Sequence, residues 1–201
     1  MGKKQQFIWR YTILMFGLMA MGLGISLTIR GNLGVNPWTV FHIGISNLSG
    51  LSVGRITQLV GVVLLGLGSL LLKQRPGIGT IINMVVVGWS LDLFLYTFVV
   101  PEATHMLVRI LYVVSGIVII GITTAMYISM RLGAGPRDGI MLGFARLGNW
   151  KVGKVRASME ATVLVVGFFL GGPVGLGTVL AIGIGPVVQW SLGWLEPLWE
   201  A

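Results

Sequence analysis

Six apolar stretches, each close to the length needed to cross a bilayer, constrain the fold of this chain more than any other feature. A transmembrane helix needs about 20 predominantly apolar residues, and these stretches cover 7–29, 56–72, 77–100, 107–130, 155–170 and 174–195. Only 10% of the residues are charged, whereas a soluble domain carries about 25%. We therefore predict an all-α fold: a polytopic bundle of six transmembrane helices that forms a single membrane domain over 1–201.

The positions of the basic residues predict the orientation of this bundle, because cytoplasmic loops carry an excess of Lys and Arg. An N-terminus in the cytoplasm leaves only Arg30, Arg55 and Arg109 on the outer side. The basic residues on the inner side are then Lys3, Lys4, Arg10, Lys73, Arg75, Arg131, Arg137, Arg146, Lys151, Lys154 and Arg156. We expect both termini in the cytoplasm, including the acidic C-terminal residues Glu196 and Glu200. The net charge of +8 is thus a topological signal in contact with lipid headgroups rather than a sign of nucleic-acid binding.

The composition argues against several kinds of chemistry. The chain has no cysteine, which excludes disulfides and thiol catalysis. Its two histidines, His42 and His105, are too few for a histidine-based metal site. The sequence has no Gly-Lys-Ser/Thr phosphate loop and no Ser/His/Asp or His-Glu-x-x-His constellation. We expect no enzymatic activity, no catalytic residues, no metal and no cofactor.

The chain contains an internal repeat with an offset of 99 residues, which holds without a gap from Gly17 to Gly68. The aligned segments are Leu33-Gly34-Val35-Asn36-Pro37 with Leu132-Gly133-Ala134-Gly135-Pro136, Val53-Gly54-Arg55 with Val152-Gly153-Lys154, and, after one deletion, Gly77-Ile78-Gly79-Thr80 with Gly175-Leu176-Gly177-Thr178. Chance matching of glycine-rich helices is the alternative, but an offset held this long favours duplication.

The two repeats, approximately 7–100 and 105–198, each hold three predicted spans. Because three is an odd number, the second repeat must enter the membrane from the opposite side. We therefore expect two inverted three-helix repeats, an arrangement that recurs in secondary transporters.

Each repeat has a long connection between its first and second spans, at 31–55 and 130–154, and each connection predicts a short helix. Pro37 and Pro136 suit the first turn of a helix, and Asn36 and Gly135 suit the capping position before it. Two placements are open. The helix lies flat at the interface with its apolar face in lipid, or it enters the bundle as a re-entrant half-helix, in which case the two N-termini converge and favour an anionic ligand.

These motifs supply most of the candidate substrate-binding residues. The full set is Asn32, Gly34, Asn36, Pro37, Thr39, His42, Gly133, Gly135, Pro136, Arg137, Asp138 and Asp92. Simpler interpretations exist for the charged members of the second motif: Asp138 suits a first helical turn, and Arg137 suits the cytoplasmic side. The argument for function is that equivalent motifs occur in both repeats.

Two further ionisable residues lie inside predicted spans, where charge is costly. Asp92 in the third span is either functional or paired with Arg109 near the outer face. Glu160 in the fifth span follows Arg156 by four residues, so we favour an ion pair along one helix face.

The two Gly-x-x-Pro connections, each followed by a Val-Gly-basic tripeptide, resemble the small bacterial membrane proteins of the YczE/YitT group. The resemblance covers most of the chain and is better to the YczE-like branch, since no soluble domain follows the last span. It implies a multi-pass protein of the bacterial cytoplasmic membrane. It implies no substrate, and no catalytic residue is carried over.

Two classes of function fit these observations. The first is transport or binding of a small solute, by this chain alone or as the substrate-capture subunit of a multi-component transporter. The second is a non-transporting accessory or scaffold protein, which the scarcity of ionisable residues inside the spans favours. The expected partners are the lipid bilayer, a small and anionic ligand, and a second copy or another membrane protein.

Overall fold

The computed structural model describes residues 3–73, 77–97, 99–130, 132–133 and 135–195, and within these ranges the chain contains helices and no strand. The helices are α1 (Lys3–Gly31), α2 (Pro37–Ser49), α3 (Val53–Leu72), α4 (Ile78–Tyr96), α5 (Met106–Ser129), α6 (Pro136–Leu147), α7 (Val152–Phe169), α8 (Leu176–Leu180) and α9 (Ile184–Leu195), with a 3₁₀ turn at Ala181–Gly183. The predicted cytoplasmic residues Arg75, Arg131, Glu196 and Glu200 lie outside the described ranges.

Among the described residues, five helical segments are long and apolar enough to cross a membrane. They are Ile8–Gly31, Val53–Leu72, Ile78–Tyr96, Met106–Ser129 and, with α8, the 3₁₀ turn and α9 taken together, Leu176–Leu195. Large apolar side chains on these helices face outward; Phe16 is 70% exposed and Leu70 is 81% exposed. Such surfaces need lipid as their solvent, so the chain is a helical membrane protein.

The fifth predicted span corresponds to α7 and differs from the others. This helix has 18 residues and includes Lys154, Arg156 and Glu160, which make it less apolar. The predicted ion pair between Arg156 and Glu160 is confirmed, with Nε and Oε1 at 2.9 Å. The count of six spans therefore stays a prediction that depends on α7.

The centre of the bundle is the antiparallel contact between α1 and α5. Gly17 lies against Met126, Gly24 against Gly116, and Gly31 against Val113. Residue numbers on α5 decrease along these contacts as those on α1 increase, so the two helices run in opposite directions. Glycine at these positions lets the two backbones approach closely, as is common between helices in membranes.

The outer helices attach to this central pair in a matching way. α4 packs on α1, where Gly22 leaves room for Ser90. α9 packs on α5, where Gly121 leaves room for Val187. Gly22 and Gly121 are 99 residues apart, so the two contacts are equivalent under the repeat.

The short helices α2 and α6 each begin where the sequence predicts. Asn36 caps α2 by accepting a hydrogen bond from the Thr39 amide (3.1 Å), and Pro37 is its first residue. Gly135 precedes α6, which begins with Pro136 and has no side-chain cap. The starts of α2 and α6 are 99 residues apart, as are those of α3 and α7, while α4 and α8 start 98 residues apart.

Each short helix packs against the opposite half of the chain. α2 packs on α7, where Gly167 lies against the Phe41 backbone, and α6 packs on α3. Backbone hydrogen bonds cross between the halves in the same pattern: the Gly79 amide donates to the Leu132 carbonyl (3.1 Å), and the Gly177 amide donates to the Leu33 carbonyl (2.7 Å). The two halves are thus interlocked rather than merely adjacent.

Candidate functional site

The first turns of α2 and α6 border the same internal cavity of about 100 Å³. Residues from six helices line it. The polar ones are Asn36, Thr39, His42, Thr57, Asn83, Tyr127, Arg137 and Asp138, and the others include Met21, Ile25, Trp38, Val60, Leu64, Val87, Gly135 and Pro136. Val87 is the middle residue of α4, so the cavity lies about halfway along that span.

The two helix N-termini at the cavity are not alike. The first turn of α2 is buried, with Thr39 4% exposed, and the Asn36 side chain already accepts from its amide. The first turn of α6 follows Gly135, which offers no side-chain acceptor. Unpaired amides and the helix dipole favour negative charge at such an end, so α6 presents the more anion-attracting N-terminus.

The charged groups of the cavity come from α6. Arg137 Nε lies 3.7 Å from Asp138 Oδ1, and the Arg137 side chain keeps 36% of its surface accessible. The Tyr127 hydroxyl of α5 donates to the Asp138 carboxylate. This carboxylate is thus held from two sides, whereas the long guanidinium has donors to spare for another acceptor.

His42 lies on α2, one turn beyond the Asn36 cap. Its Nδ1 is 3.1 Å from Thr57 Oγ1, and its Nε2 is buried with no hydrogen-bond partner among the described residues. Charge on a ring in such a low-dielectric place is costly. The neutral ring, with one donor and one acceptor, is therefore the form considered below.

Seven of the twelve candidate residues line the cavity, and the other five lie elsewhere. The seven are Asn36, Thr39, His42, Gly135, Pro136, Arg137 and Asp138. Pro37 starts α2 without lining the cavity. Gly34 and Gly133 have positive φ angles, 97° and 129°, and turn the chain into α2 and α6. Both make close backbone contacts with the opposite half, so they position the site.

Asn32 and Asp92 also lie away from the cavity. The Asn32 carbonyl accepts a hydrogen bond from Arg109 Nη2 at 3.3 Å. Asp92 accepts from the Ser52 hydroxyl (2.5 Å) and from the Gly54 amide (2.7 Å), at the start of α3. The suggested pairing of Asp92 with Arg109 is wrong, because Arg109 binds the carbonyls of Gly31 and Asn32 instead.

Three polar lining residues were absent from the candidate set: Thr57, Asn83 and Tyr127. Each lies within an otherwise apolar span. A polar residue inside a span is a signal that sequence analysis can use, but it does not say whether the side chain faces the cavity or a neighbouring helix. Only the packing of α3, α4 and α5 around α6 decides this.

Comparisons with known proteins agree with the membrane fold. A family described as "Family of unknown function (DUF6198)" matches residues 8–192. The chain is 38% identical to "Uncharacterized membrane protein YczE" of Bacillus subtilis (strain 168), over 94% of this chain and 88% of that protein. It is 39% identical to an "Uncharacterized protein" of Haemophilus influenzae, over 90% of this chain and 82% of the relative. No solved structure matches.

The resemblance to the YczE-like branch, inferred from the two Gly-x-x-Pro connections, is confirmed. The matched region contains both connections and every residue that lines the cavity. The chain therefore belongs to the DUF6198 family.

Proposed function

We propose that this protein is a small-solute carrier of the bacterial cytoplasmic membrane, with its substrate bound in the cavity between the N-termini of α2 and α6. The single observation that carries this proposal is the convergence of the equivalent N-terminal turns of α2 and α6 on one cavity, which Asn36 and Trp38 line from the first helix and Gly135 and Pro136 from the second. In secondary transporters built from inverted repeats, the substrate binds near the midplane at half-helix termini.

The proposal includes an inverted repeat. The equivalent helices α1 and α5 run antiparallel, as expected if a two-fold axis in the membrane plane relates the halves. The exchanged contacts of α2 with α7 and of α6 with α3 support the same relation. α7 is then the fifth of six spans, and the positive-inside rule puts both termini in the cytoplasm.

In this arrangement α2 and α6 are re-entrant helices rather than interfacial ones. Their N-termini reach the cavity, while the equivalent residues Leu48 and Leu147 near their C-termini are 72% and 71% exposed. Non-helical backbone at membrane depth is tolerated where it is enclosed by protein. The backbone contacts of Gly34 with Gly175, and of Gly133 with Gly77, supply that enclosure.

The substrate that this cavity favours is anionic. Arg137 and the uncapped N-terminus of α6 attract negative charge at the same place. Asp138 and Glu160 both place negative charge near Arg137 and so oppose this attraction, although the Asp138 carboxylate also has the Tyr127 hydroxyl as a partner. An anion that binds to the free face of Arg137 would complete the hydrogen bonding of the guanidinium.

Cysteine accessibility tests the carrier proposal, because the native chain has no cysteine. We would label Asn36→Cys with a membrane-impermeant thiol reagent, applied to right-side-out and then to inside-out vesicles. A carrier opens its cavity to each side in turn, so we expect slow labelling from both sides. Leu48→Cys is the control, since it should react from one side only.

Labelling of Asn36→Cys from a single side, or from neither, would argue against alternating access. That outcome would favour the second class of function, an accessory or scaffold protein with a static cavity. Stable copurification of another membrane protein would then be the observation to seek.

A further inference from the structure

We propose that the cavity selects small oxyanions that carry their own hydrogen-bond donor, and that His42 Nε2 accepts a hydrogen bond from that donor while Arg137 holds the charge. This inference rests on the proposed function, since it assumes that the cavity is a binding site. It adds a selectivity element that the charge of the cavity alone does not supply.

The protonation of His42 follows from the bonds that Thr57 makes. The Thr57 hydroxyl has one proton, and its Oγ1 lies 2.8 Å from the Val53 carbonyl, which can only accept. Thr57 therefore accepts from His42, at 3.1 Å, and Nδ1 carries the ring proton. In a neutral imidazole the other nitrogen is then an acceptor.

Nε2 of this ring is an acceptor with no donor. Its accessible area is below 1 Å², and no described residue donates to it. Buried polar groups are nearly always paired in folded proteins, since an unmade hydrogen bond is costly. The ring itself lines the cavity with Arg137, but its Nε2 has almost no accessible surface in this conformation. In our proposal the ligand reaches Nε2 after a small turn of the ring, and a molecule held in the cavity then supplies the donor.

The size of the cavity limits the ligand. A dry cavity of about 150 Å³ in another protein holds one benzene molecule, and the cavity here is about 100 Å³. By that comparison it has room for about four non-hydrogen atoms, so only the smallest oxyanions come close. A short hydroxycarboxylate and a protonated phosphate are near this limit, and each has an oxyanion next to a hydroxyl donor.

Two matched pairs of probe anions separate the effect of a hydrogen-bond donor on affinity from the effect of charge. Glycolate has the hydroxyl that acetate lacks, and phosphate keeps a proton at neutral pH while sulfate keeps none. We would measure Kd for all four by titration calorimetry on the purified protein in detergent. We expect the donor-bearing member of at least one pair to bind about tenfold more tightly, the usual effect of one buried hydrogen bond.

Substitution of His42 should remove this preference. In His42→Phe the ring shape is kept and the acceptor is lost, so the ratio of the two dissociation constants should fall to about one. His105→Phe is the matched control, because His105 is exposed at the start of α5 and lies outside the cavity. Should His42→Phe fail to fold, Thr57→Val releases the ring from its fixed tautomer and should lower the ratio as well.

Nitrogen NMR gives a readout that needs no variant. Protein labelled with ¹⁵N-histidine contains only His42 and His105, and the chemical shifts of the two ring nitrogens report which one is protonated. We expect His42 to be protonated at Nδ1, and we expect glycolate or phosphate, but not acetate or sulfate, to shift the Nε2 signal.

The outcomes distinguish this inference from the proposed function. Equal affinities within both pairs, or a His42 ring protonated at Nε2, would overturn the selectivity inference while leaving an anion-binding carrier intact. If none of the four anions binds, the anionic site of the proposed function fails and the inference fails with it. A preference that persists in His42→Phe would also overturn the inference, because the donor would then be recognised elsewhere.

Discussion

At the scale of single residues, Asp92 shows how a charge inside a span can find its partners within the protein. A carboxylate in an apolar span is a functional candidate by default. In the folded chain it accepts from Ser52 and Gly54 and closes the first turn of α3. The unpaired amides at a helix start need such an acceptor, particularly where water is scarce.

We predict that Asp92→Ala lowers the stability of the protein without weakening anion binding. Loss of this buried acceptor leaves the Ser52 hydroxyl and the Gly54 amide unpaired, at a cost of about 1–3 kcal/mol. Thermal unfolding in detergent measures the first effect, and acetate titration measures the second. Glu102→Ala is the control, because Glu102 is 83% exposed in its ion pair with Arg30 and exposed pairs contribute about 1 kcal/mol or less. A selective loss of acetate binding in Asp92→Ala would return Asp92 to the binding site.

Gly34 allows a second test at this scale, of how much its close packing contributes to stability. Gly50 is a suitable comparison, because it also has a positive φ but lies in open space. A Cβ on Gly34 would lie 2.5 Å from the Gly175 nitrogen, whereas nothing lies within 4 Å of a Cβ on Gly50. Backbone strain alone should destabilise Gly50→Ala by about 1 kcal/mol. We expect Gly34→Ala to lose at least about 2 kcal/mol more, since the clash is with backbone.

The same unfolding measurement decides between strain and contact at Gly34. Equal losses in Gly34→Ala and Gly50→Ala would mean that only the left-handed backbone matters. The contact between the halves at Leu33 and Gly177 would then contribute less to the free energy of unfolding than its 2.7 Å hydrogen bond suggests.

At the scale of elements, α2 holds its position mainly through α7. The backbones of the two helices meet where Gly167 lies against Phe41 and where Gly44 lies against Leu170. α2 in turn carries Asn36 and His42 to the cavity. The contact between α2 and α7 therefore sets the geometry of the site from outside it.

We predict that Gly167→Ala both destabilises the protein and weakens anion binding. A Cβ at this position would lie 2.6 Å from the Phe41 nitrogen and Cα, so α2 must shift, at a cost of about 1–3 kcal/mol. Gly153→Ala on the same helix meets nothing within 4 Å and should leave both properties unchanged. Unfolding and acetate titration measure the two effects, and identical behaviour of the two variants would contradict the role given to this contact.

At the scale of the whole molecule, each half of the chain makes extensive contacts with the other. The central pair α1 and α5, the exchanged short helices and the reciprocal hydrogen bonds all join one half to the other. Neither half alone would enclose the cavity, which takes side chains from both.

We predict that the exposed ends of α2 and α6 lie on opposite sides of the membrane. Single cysteines at the equivalent positions Leu48 and Leu147, which are 72% and 71% exposed, report this directly in the cysteine-free chain. Leu48→Cys should react with an impermeant reagent in intact cells, and Leu147→Cys only after permeabilisation. Reaction of both from one side would exclude the inverted repeat.

Local signals in the sequence predict the elements of this fold. Hydropathy indicates the membrane spans, and the two Pro residues with their preceding caps predict where α2 and α6 begin. These signals act within one helical turn, so no long-range contact is needed to read them. The weaker prediction concerns α7, which carries Lys154, Arg156 and Glu160 within its 18 residues.

The site itself depends on contacts between residues far apart in the chain. Thr57, Asn83 and Tyr127 join the cavity only because α3, α4 and α5 pack around the start of α6. Asp92 does not line the cavity, and its carboxylate accepts a hydrogen bond from Ser52, forty residues earlier in the chain. Sequence by itself determined the membrane-spanning helices and the starts of α2 and α6, and it predicts the repeat. The tertiary structure alone decided which polar groups meet, because helix–helix packing sets the direction of each side chain and local sequence pattern does not.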